Sequence, residues 1–595
     1  MTGVAMHDRA ERYLPVSSGS VSLSLPEVRG TVANISRTGL ACTFDSTAGE
    51  GQPPFVTGTT VSRVRVSFDG EAIDLGPGRV ARVTTAEAPG PAVDGESQTL
   101  VGIAFDHDQW ESLQSLASYL KPYGYVTGEL ADLSDTWPLG QGTVANDAAT
   151  EQTLDRFYRK DDPDILAKCR HFRAWTGAMQ NQCLSQRLWR VTATTAIDSQ
   201  TTIFDPIQRR ERVMRCFDTN GYLGLHRHPR VLSAVQRALA QVGYGTPSSQ
   251  MLGGTNRHLR ELEDKLSEMH GREDTIVFPT GYAANTGTIS ALVRRKDAIL
   301  SDAHAHASVQ NGCKASSARF FRRFRHNDAD HLDRMLDKAD RAGAVGKLVI
   351  TDGVFSMHGK VAPLPELLAT CRKHGARLMI DDAHGFGVLG ENGHGIEEHF
   401  GLKGQVDIMM GTLSKAVGSV GGYISGSKDM VTYLRYFADS GMFTTALPAA
   451  LCAGMLEALA IIEEEPEHRA SLWRNVAYFS NAVRQAGFIA PEPESPIIPV
   501  HIGPQKLLWQ ISKDLFDAGV KCGGVIYPAV AKNEAILRFV VNACHTRSDL
   551  DFAVDALSRA GRAAGILGKS RDEIQALWGT DGTAPASHHE LRSAA

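Results

Sequence analysis

Three short apolar runs in the second half of the chain constrain its fold most strongly. Residues 348–350, 378–380 and 408–410 consist only of Leu, Val, Ile and Met, and each run leads into an acidic or glycine-containing turn. Stretches with helical periodicity separate the runs. Strands that are buried on both faces and joined by helices are typical of a mostly parallel sheet. The sequence therefore predicts an α/β domain whose ligand site lies at the carboxyl ends of these strands.

The third run leads to Lys415, which lies between Ser414 and glycines at positions 418, 421 and 422. A lysine that forms a Schiff base needs a mobile stem, a backbone that a cofactor can approach, and surroundings that lower its pKa. A surface lysine in a glycine-rich loop would have the same local sequence. The neighbouring strand ends therefore decide between the two interpretations.

The second run leads to Asp381, with His384 three residues further on. A carboxylate at a strand end can pair with a pyridinium nitrogen and keep that nitrogen protonated. His384 could reach the phenolic oxygen of the same ring. A solvated loop acid is the alternative, but the position of Asp381 on a strand next to that of Lys415 favours the cofactor site.

Two further segments carry weaker signals. Residues 278–285 predict a strand, a tight turn and a helix start, whose exposed amides suit a phosphate. His304 and His306 are either structural, hydrogen-bonded rings or functional ones. Their i,i+2 spacing, without a nearby cysteine or an HExxH motif, is a weak metal signal. We therefore expect no metal site.

Five motifs, in order along the chain, carry a family resemblance. They are Thr-Gly-Tyr at 280–282, His-Ala-Ser at 306–308, Asp-Gly-Val-Phe-Ser-Met at 352–357, Asp-Asp-Ala-His-Gly at 381–385 and Thr-Leu-Ser-Lys at 412–415. With them, residues 160–565 resemble the α-oxoamine synthases, which are fold-type I pyridoxal phosphate enzymes. These enzymes condense an amino acid with an acyl-CoA thioester and release CO2. Residues 323–328, 472–475 and 560–565 are most similar to serine palmitoyltransferases.

The resemblance implies roles around the cofactor ring. Lys415 would hold pyridoxal phosphate as a Schiff base and, once freed, remove the α-proton of the amino acid. Asp381 would pair with the ring nitrogen and His384 with the phenolic oxygen. His306 would stack on the ring and touch the substrate carboxylate, and Ser356 would line the pocket. Lys415, His306 and Asp381 are thus the implied catalytic residues.

The resemblance also implies how the phosphate is held. The amides of Gly281 and Tyr282, together with Thr412, would bind it within one subunit. Thr444 and Thr445 would reach the phosphate in the site of a partner subunit. A homodimer with shared active sites is therefore expected.

Arg538 would bind the carboxylate of the amino acid, assisted by Asn220. Two departures from the family pattern bear on the substrate. Residues 358–360 are His-Gly-Lys, where the family usually has Gly-Asp or Asp-Gly-Asp, and residues 526–529 lack the arginine of bacterial serine palmitoyltransferases. We predict L-serine and a long-chain acyl-CoA as substrates, giving a 3-ketosphinganine-like α-amino ketone. Glycine or another amino acid, a short acyl donor and an acyl carrier protein are alternatives.

Three other classes of protein share part of this pattern. An aminotransferase would have the same fold and lysine. A non-catalytic subunit of this superfamily normally lacks the lysine that is present here. A pure second-messenger receptor would bind no pyridoxal phosphate.

Residues 1–120 alternate in the manner of short strands, with Gly/Pro-rich breaks between them and a helix-like stretch at the end. This pattern predicts a small β-barrel. The segment contains eight Arg and no Lys against fourteen Asp and Glu, a balance of −6, and the whole chain has a net charge of −5. A non-specific nucleic-acid binder needs the opposite sign.

Asn34, Ser36 and Gly39 form an N-x-S-x-x-G turn that resembles PilZ domains. Such domains bind cyclic di-GMP through this turn and an upstream R-x-x-x-R. Arg9 and Arg12 lie upstream with the spacing R-x-x-R. Cyclic di-GMP binding and a structural, protein-contacting role both remain open for this segment.

The predicted organisation has six parts. They are a PilZ-like barrel over residues 1–120, a linker over 121–155, a lead segment of the synthase over 156–245, a large cofactor-binding domain over 246–490, a small α+β domain over 491–565 and a flexible tail over 566–595.

The composition bears on location. Hydrophobic residues make up 42% and charged residues 22% of the chain, as in soluble globular proteins. The most apolar stretch, residues 446–462, contains Pro448 and Glu457 and predicts a buried helix, not a membrane span. Nine scattered cysteines without a C-x-x-C pair favour reduced thiols in the cytoplasm, and peripheral attachment to a membrane remains open.

Overall fold

The structure is a computed structural model of the 595-residue chain. It describes residues 164–181, 190–205 and 208–578, and the backbone of six strands between residues 22 and 104. The chain forms two compact units, Met1–Leu139 with Thr202–Arg212, and Gly140–Thr201 with Val213–Ala595. The domain boundaries given above stay predictions.

Six antiparallel strands of the first unit close into a barrel in the order β1-β2-β3-β6-β5-β4. They are β1 Ser22–Ser24, β2 Arg29–Ser36, β3 Gly39–Asp45, β4 Thr60–Phe68, β5 Glu71–Glu87 and β6 Ser97–Ala104. Asn34 and Ser36 lie on β2, and Ser36 pairs with Gly39 at the start of β3. Arg9 and Arg12 lie outside the described residues. The PilZ assignment stays a prediction.

Strands and helices alternate from residue 164 onward. The strands are β7 Thr192–Ala193, β8 Gln200–Asp205, β9 Arg210–Phe217, β10 Asp274–Phe278, β11 Ala298–Asp302, β12 Phe320–Phe324, β13 Lys347–Asp352, β14 Arg377–Asp381, β15 Ile408–Thr412, β16 Gly422–Gly426, β17 Ile497–Gly503, β18 Val520–Val525 and β19 Ala535–Val540. The helices are α1 Ala167–Asn181, α2 Pro229–Val242, α3 Arg257–His270, α4 Gly281–Leu292, α5 Ala307–Ala315, α6 Ala329–Arg341, α7 Leu364–Lys373, α8 Ile396–His399, α9 Lys428–Phe437, α10 Asp439–Met442, α11 Ala449–Glu464, α12 Glu467–Gln485, α13 Gln505–Ala518, α14 Arg547–Ala563 and α15 Arg571–Trp578.

The large sheet of the second unit has seven strands in the order β10-β16-β15-β14-β13-β11-β12. Only β16 runs antiparallel to its neighbours, which confirms a mostly parallel α/β sheet. The three apolar runs lie in β13, β14 and β15, whose residues are almost all buried. Four parallel strands end at one edge of the sheet, in Asp302, Asp352, Asp381 and Thr412. Polar side chains therefore converge at that edge.

The smaller sheet of this unit contains β17, β19 and β18 as antiparallel neighbours. Residues 215–217 of β9 add a parallel strand beside β18. The predicted α+β arrangement near the C-terminus is therefore completed by a strand from the predicted lead segment. β19 carries Arg538, so this sheet brings the predicted carboxylate-binding residue to the site.

The end of the described chain differs from its prediction as a flexible tail from residue 566. Residues 571–578 form helix α15, in which Ile574 is buried. The Trp578 Nε1 group donates to the carbonyl of Ala564, just after α14, at 3.0 Å. A helix end leaves carbonyls without intrahelical partners, and this indole satisfies one of them. Residues 579–595 lie outside the described residues.

Helix α11 is the apolar stretch that was predicted to be a core helix. Most of its side chains are buried, among them Met455, Leu459 and Ile462, which confirms that prediction. Among the described helices, none combines the length and the hydropathy needed to cross a bilayer.

Candidate active site

Asp381, the last residue of β14, is 4% exposed and its carboxylate is held in a fixed orientation. Its Oδ2 atom accepts from Asn285 Nδ2 at 2.7 Å, and its Oδ1 atom accepts from the Ala383 amide at 3.1 Å. Asn285 on α4 also donates to Ser308 Oγ at 2.8 Å. A carboxylate fixed in this way can present its charge to a cationic ring nitrogen.

His306 precedes α5, and its ring is oriented by Ser308. The Ser308 amide donates to His306 Nδ1 at 3.3 Å, and the Ser308 hydroxyl lies 2.7 Å from the same atom. Nδ1 is thus an acceptor, so the neutral ring carries its proton on Nε2. Partial burial lowers the pKa of His306. This ring can therefore offer Nε2–H as a donor.

A second carboxyl group fixes the backbone of His306. Asp352 Oδ1 accepts from the His306 amide at 3.1 Å, and Asp352 pairs in register with Asp381 on the adjacent strand. Burial, and then the charge of Asp381, raise the pKa of Asp352 well above its usual value. Because two neighbouring carboxylates repel each other, the negative charge of Asp381 favours the protonated form of Asp352.

His384 contacts a phenol that comes from far along the chain. Tyr222 OH lies 2.6 Å from His384 Nδ1, and both side chains are buried. Burial raises the pKa of Tyr222 to about 12, so the phenol keeps its proton and donates it. Burial, followed by the charge of Lys415, lowers the pKa of His384 far below its usual value. A neutral His384 therefore has Nε2–H left to donate to a ligand oxygen.

Lys415 lies three residues beyond the end of β15. Burial lowers its pKa from 10.5 to about 8, and the nearby charge of Asp381 opposes this effect. An amine with this pKa is partly neutral near physiological pH, as nucleophilic attack on an aldehyde requires. Lys415 thus has the reactivity that its predicted role demands.

Gly281, Tyr282 and Thr412 come together at the start of α4. A Cβ atom on Gly281 would lie only 3.2 Å from Thr412 Oγ1, so the backbone of the helix start approaches this threonine closely. Thr280 caps the helix by accepting from the Ala283 amide at 3.0 Å. The amides of Gly281 and Tyr282 have no acceptors within the helix, and the helix dipole favours an anion here. A phosphate group fits this position.

Arg538 meets Asn220 and Ser356 on the other side of the site. Arg538 Nε donates to the Ser356 carbonyl at 2.5 Å, and Nη2 donates to Asn220 Oδ1 at 3.1 Å. Burial lowers the pKa of Arg538, but a guanidinium keeps its charge in proteins. The three residues form a clamp, which we call the carboxylate clamp, that can bind a carboxylate through the guanidinium.

Thr444 and Thr445 lie on the loop between α10 and α11. Thr445 forms an isolated β-bridge with Ser249, and the Ala446 amide donates to the Ser248 carbonyl at 3.0 Å. The neighbouring Phe443 is 76% exposed. The predicted contact of Thr444 and Thr445 with the phosphate in the site of a partner subunit stays a prediction.

Three histidine rings stack on one another, and two of them follow the carboxyl ends of β11 and β12. The ring centroids of His304 and His326 are 4.3 Å apart, and those of His304 and His358 are 5.8 Å apart. Burial lowers the pKa of His304 and of His358. The departure from the family pattern at residue 358 thus places an imidazole two residues from Ser356.

Among the residues that the structure describes, one group of side chains has ligand atoms close enough to hold a metal ion. His228, Glu465 and His468 place one ligand atom each within 4.8 Å of one another. Glu465 is already paired with Arg230 at 2.7 Å, and that cation disfavours a metal ion at the same carboxylate. The expectation of no metal site stays a prediction.

Sequence reasoning missed Tyr222, Asn285, Ser308 and Asp352, which hold the predicted residues in place. Asn285 and Ser308 belong to the Thr-Gly-Tyr and His-Ala-Ser segments, and Asp352 begins a third motif. Their positions within these motifs were the available signal. For Tyr222, the local sequence gave no indication of a contact with His384, apart from its position two residues after Asn220.

Comparisons with known proteins place this site in a family. The family model of aminotransferase class I and II matches residues 214–557. 8-Amino-7-oxononanoate synthase 1 of Bacillus subtilis is 39% identical over 349 residues, which are 59% of this chain and 88% of that protein. Serine palmitoyltransferase of Sphingobacterium spiritivorum is 41% identical over 350 residues, 59% of this chain and 87% of that protein.

Two further comparisons extend this result. The 4-hydroxy-2,2'-bipyrrole-5-methanol synthase PigH of Serratia sp. is 37% identical over 416 residues, 70% of this chain. The match spans 63% of PigH, less than two thirds of its length. The solved structure of a serine palmitoyltransferase variant from S. paucimobilis with a bound PLP–myriocin aldimine has a TM-score of 0.64 and 31% identity, and covers 68% of this chain and 100% of that one. The chain belongs to the aminotransferase class I and II family and, within it, to the α-oxoamine synthases, and its cofactor is pyridoxal phosphate.

Proposed function

We propose that the chain catalyses the decarboxylative condensation of L-serine with a long-chain acyl-CoA. The products are a 3-ketosphinganine-like α-amino ketone, CoA and CO2. The observation that carries this proposal is the convergence of Asp381, His384 and His306 around Lys415, whose pKa is lowered to about 8. Relatives named for three different reactions have similar identities of 37%, 39% and 41%, so the choice of serine rests on the sequence resemblance.

Pyridoxal phosphate, when bound, withdraws electrons from the α-carbon of an amino acid that is joined to it. Lys415 would hold the cofactor and, as a neutral amine, would take the α-proton of the amino acid. The negative charge of Asp381 would keep the ring nitrogen protonated. The Nε2–H group of His384 would donate to the phenolic oxygen.

The remaining residues position the substrates. Arg538 binds the carboxylate of the amino acid, with Asn220 and the Ser356 carbonyl fixing the guanidinium plane. His306 Nε2–H offers a second donor to that carboxylate. The α-carbon forms a bond with the thioester carbonyl carbon, the thiolate leaves, and the carboxyl group departs as CO2. Lys415 returns its proton to the α-carbon.

The experiment is to incubate the full chain with each amino acid and with acyl-CoAs of several lengths. We expect release of the CoA thiol and of CO2, with the highest kcat/KM for serine and a long acyl chain. No thiol release with any pair contradicts the synthase proposal. If an amino acid alone converts the cofactor to its pyridoxamine form, the chain is an aminotransferase instead.

We also propose a homodimer with shared sites. Phe443, next to the two threonines, and Leu252 are 76% and 85% exposed, as apolar residues of an interface would be in one isolated chain. A Lys415→Ala chain mixed with a Thr444→Ala/Thr445→Ala chain forms hybrid dimers with one intact site. We expect the mixture to regain about a quarter of the activity if subunits exchange randomly, with half the dimers hybrid. Failure of any recovery, with exchange verified by sedimentation of tagged chains, contradicts shared sites.

For the first unit we propose cyclic di-GMP binding through Arg9, Arg12, Asn34, Ser36 and Gly39, in a cytoplasmic protein. The N-x-S-x-x-G turn supports this, as does the pairing of Ser36 with Gly39, which closes the turn. Calorimetry of the full chain with cyclic di-GMP should show binding that Arg9→Ala/Arg12→Ala abolishes. No binding by the natural chain leaves this unit with a structural or protein-contacting role.

A further inference from the structure

Asp382 is the second aspartate of the Asp-Asp-Ala-His-Gly motif, and its side chain is held differently from that of Asp381. The side chain is 0% exposed. Its Oδ2 atom accepts from the Ile396 amide at 2.8 Å, whereas Oδ1 is buried and has no hydrogen-bond partner among the residues that the structure describes. A buried carboxylate is stable only when donors surround both of its oxygens. One donor for two oxygens therefore disfavours the charged form.

Three glycines enclose the carboxyl group of Asp382. A Cβ atom added to Gly353 or to Gly385 would overlap Oδ1, and a Cβ atom added to Gly395 would overlap Oδ2. The backbone thus packs directly against both oxygens, and none of these three positions can supply a side-chain cation. The packing and the hydrogen bonds therefore both suit a neutral carboxylic acid.

Charged groups face Asp382 from three neighbouring segments. Burial raises the pKa of Asp382 well above its usual value, and the negative charges of Asp381 and of Glu397 on α8 add to this effect. The charge of Lys415, after β15, opposes it. Tyr423, on β16, has its own pKa raised by burial and then by the charge of Asp382, so it stays a neutral phenol. The surroundings therefore favour the same neutral form as the packing does.

Asp382 also holds both ends of the segment that carries His384. Its carbonyl accepts from the Phe386 amide at 3.0 Å, and its side chain accepts from the amide of Ile396, the first residue of α8. Residues 383–396 are thus closed into a loop by a single residue. The position of His384 within this loop therefore depends on the side chain of Asp382.

We propose that Asp382 acts as a neutral carboxylic acid that positions the loop of His384 and leaves the negative charge of the motif to Asp381. A charge on Asp382 would raise the pKa of Lys415. Since only a neutral amine attacks an aldehyde, a neutral Asp382 keeps Lys415 reactive near physiological pH. Asp382 is thus a positioning residue, and the proposal rests on the cofactor site, not on the choice of substrates.

The test compares Asp382→Asn with Asp381→Asn and with Asp382→Ala in the full chain. The amide of the first variant keeps an oxygen for the Ile396 N–H group and places an N–H donor where the protonated oxygen was. One readout is the rate of cofactor uptake by the apo chain as a function of pH. The other is the infrared difference spectrum between the natural apo chain and each asparagine variant, which distinguishes a protonated carboxyl group from a carboxylate.

The matched control for the infrared measurement is Asp549→Asn, at an aspartate of α14 that is 2% exposed. Both oxygens of Asp549 have donors, because Oδ1 accepts from Gln200 at 2.7 Å and Oδ2 accepts from the Thr546 hydroxyl at 2.7 Å. This buried aspartate is therefore held as a carboxylate, and its difference spectrum should contain carboxylate bands.

We expect the difference spectrum of Asp382→Asn at neutral pH to contain the carbonyl band of a protonated carboxyl group. The pH profile of cofactor uptake should shift by less than about 0.3 pH unit. The kcat should stay within about twofold of the natural value, whereas Asp381→Asn lowers it by about 10²-fold. Asp382→Ala should slow cofactor uptake by at least about fivefold, because the Ile396 amide loses its acceptor and the loop of His384 loses its anchor.

Three outcomes would overturn the proposal. Carboxylate bands in the Asp382→Asn difference spectrum would show that Asp382 is charged. A shift of the uptake profile by about one pH unit toward lower pH would show the same, because the variant would have lost an anion that raises the pKa of Lys415. Natural uptake by Asp382→Ala would show that the side chain does not position the loop.

The infrared band and the uptake profile need no substrate turnover. If no amino acid and acyl donor give thiol release while both readouts behave as expected, the role of Asp382 stands and the synthase function fails. If the alanine variant does not fold, the Asp382→Asn spectrum and uptake profile still decide whether the natural side chain is neutral.

Discussion

The cofactor-ring region and the carboxylate clamp are built in different ways. Asp381 and His384 are buried, and each is held by a side chain from another segment, at 2.7 Å and 2.6 Å. Arg538 and its partners are only partly buried, and the guanidinium is held by a carbonyl and an amide oxygen. The ring region is therefore held by side chains of distant segments, whereas the clamp is held by a carbonyl and an amide oxygen. The charge of Arg538 still acts on the ring region, because it adds to the effect of burial in lowering the pKa of Lys415 and of His384. Substitutions in the ring region should therefore lower kcat, whereas substitutions in the clamp should mainly raise the KM for the amino acid.

The largest effect is expected from Lys415→Ala, which should remove the absorbance of the lysine-bound cofactor and lower kcat by at least about 10³-fold. The physical reason is the loss of both the covalent anchor and the proton acceptor. Spectra and thiol release measure the two effects. Lys428→Ala, at an exposed lysine, is the control and should change neither. A retained absorbance would mean that another lysine carries the cofactor.

Asp381→Asn tests the rigidity of the ring region with an isosteric change. We expect kcat to fall by about 10²-fold or more, because a neutral amide no longer favours the protonated ring nitrogen. Cofactor content and thiol release are measured together. Asp333→Asn, at a partly exposed aspartate that pairs with Lys373, should leave both unchanged. Normal activity of the Asp381 variant would show that this carboxylate does not determine the protonation of the ring nitrogen.

Arg538→Lys tests whether the clamp acts on substrate binding alone. The compact ammonium cannot reproduce the guanidinium fork, so we expect the KM for the amino acid to rise by about 30-fold. The cofactor absorbance and the KM for the acyl donor should stay unchanged. A loss of cofactor absorbance would show that the two regions are not independent.

The pH dependence of cofactor uptake tests the electrostatics of the ring region. Only the neutral amine of Lys415 attacks the cofactor aldehyde, and burial lowers its pKa to about 8. The uptake rate of the apo chain should therefore rise about tenfold between pH 7 and pH 9 and level off above that. A lysine with its ordinary pKa would give a rate that continues to rise by tenfold per pH unit to about pH 10. Stopped-flow absorbance distinguishes the two profiles.

Tyr222→Phe should have the smallest effect. It removes the hydrogen bond to His384 without opening a large cavity, at a cost of about 1 kcal/mol, or roughly fivefold in kcat/KM. The shift in the absorbance maximum of the bound cofactor reports on the phenolic oxygen. If the activity falls as far as in the Asp381 variant, the tyrosine takes part in the chemistry itself.

The parts of the molecule that could be predicted from sequence are those whose signal is local. The strands β13, β14 and β15 are continuous apolar runs, and Asp381, His384 and Lys415 follow two of them directly. Asn285 lies 96 positions from the aspartate that it contacts, so no local pattern shows that pair.

Asp352 illustrates the same limit. Its proximity to Asp381 depends on the register of two strands, which a run of apolar residues does not define. Helix α15 was missed for a different reason. Its two apolar contacts, Ile574 and Trp578, are spaced i,i+4 in a polar segment. Only packing against β17 and against Ala564, after α14, stabilises so short an element.

The hydrogen bond between Tyr222 and His384 joins positions that are 162 residues apart. Tyr222 belongs to the turn that follows β9, whereas His384 is predicted to contact the cofactor. A ligand that favours the hydrogen-bonded arrangement of His384 also stabilises the packing of that turn. By thermodynamic linkage, the packed turn raises the affinity for the ligand by the same factor. We therefore expect the turn that contains Tyr222 to resist proteolysis better in the cofactor-bound chain than in the cofactor-free chain.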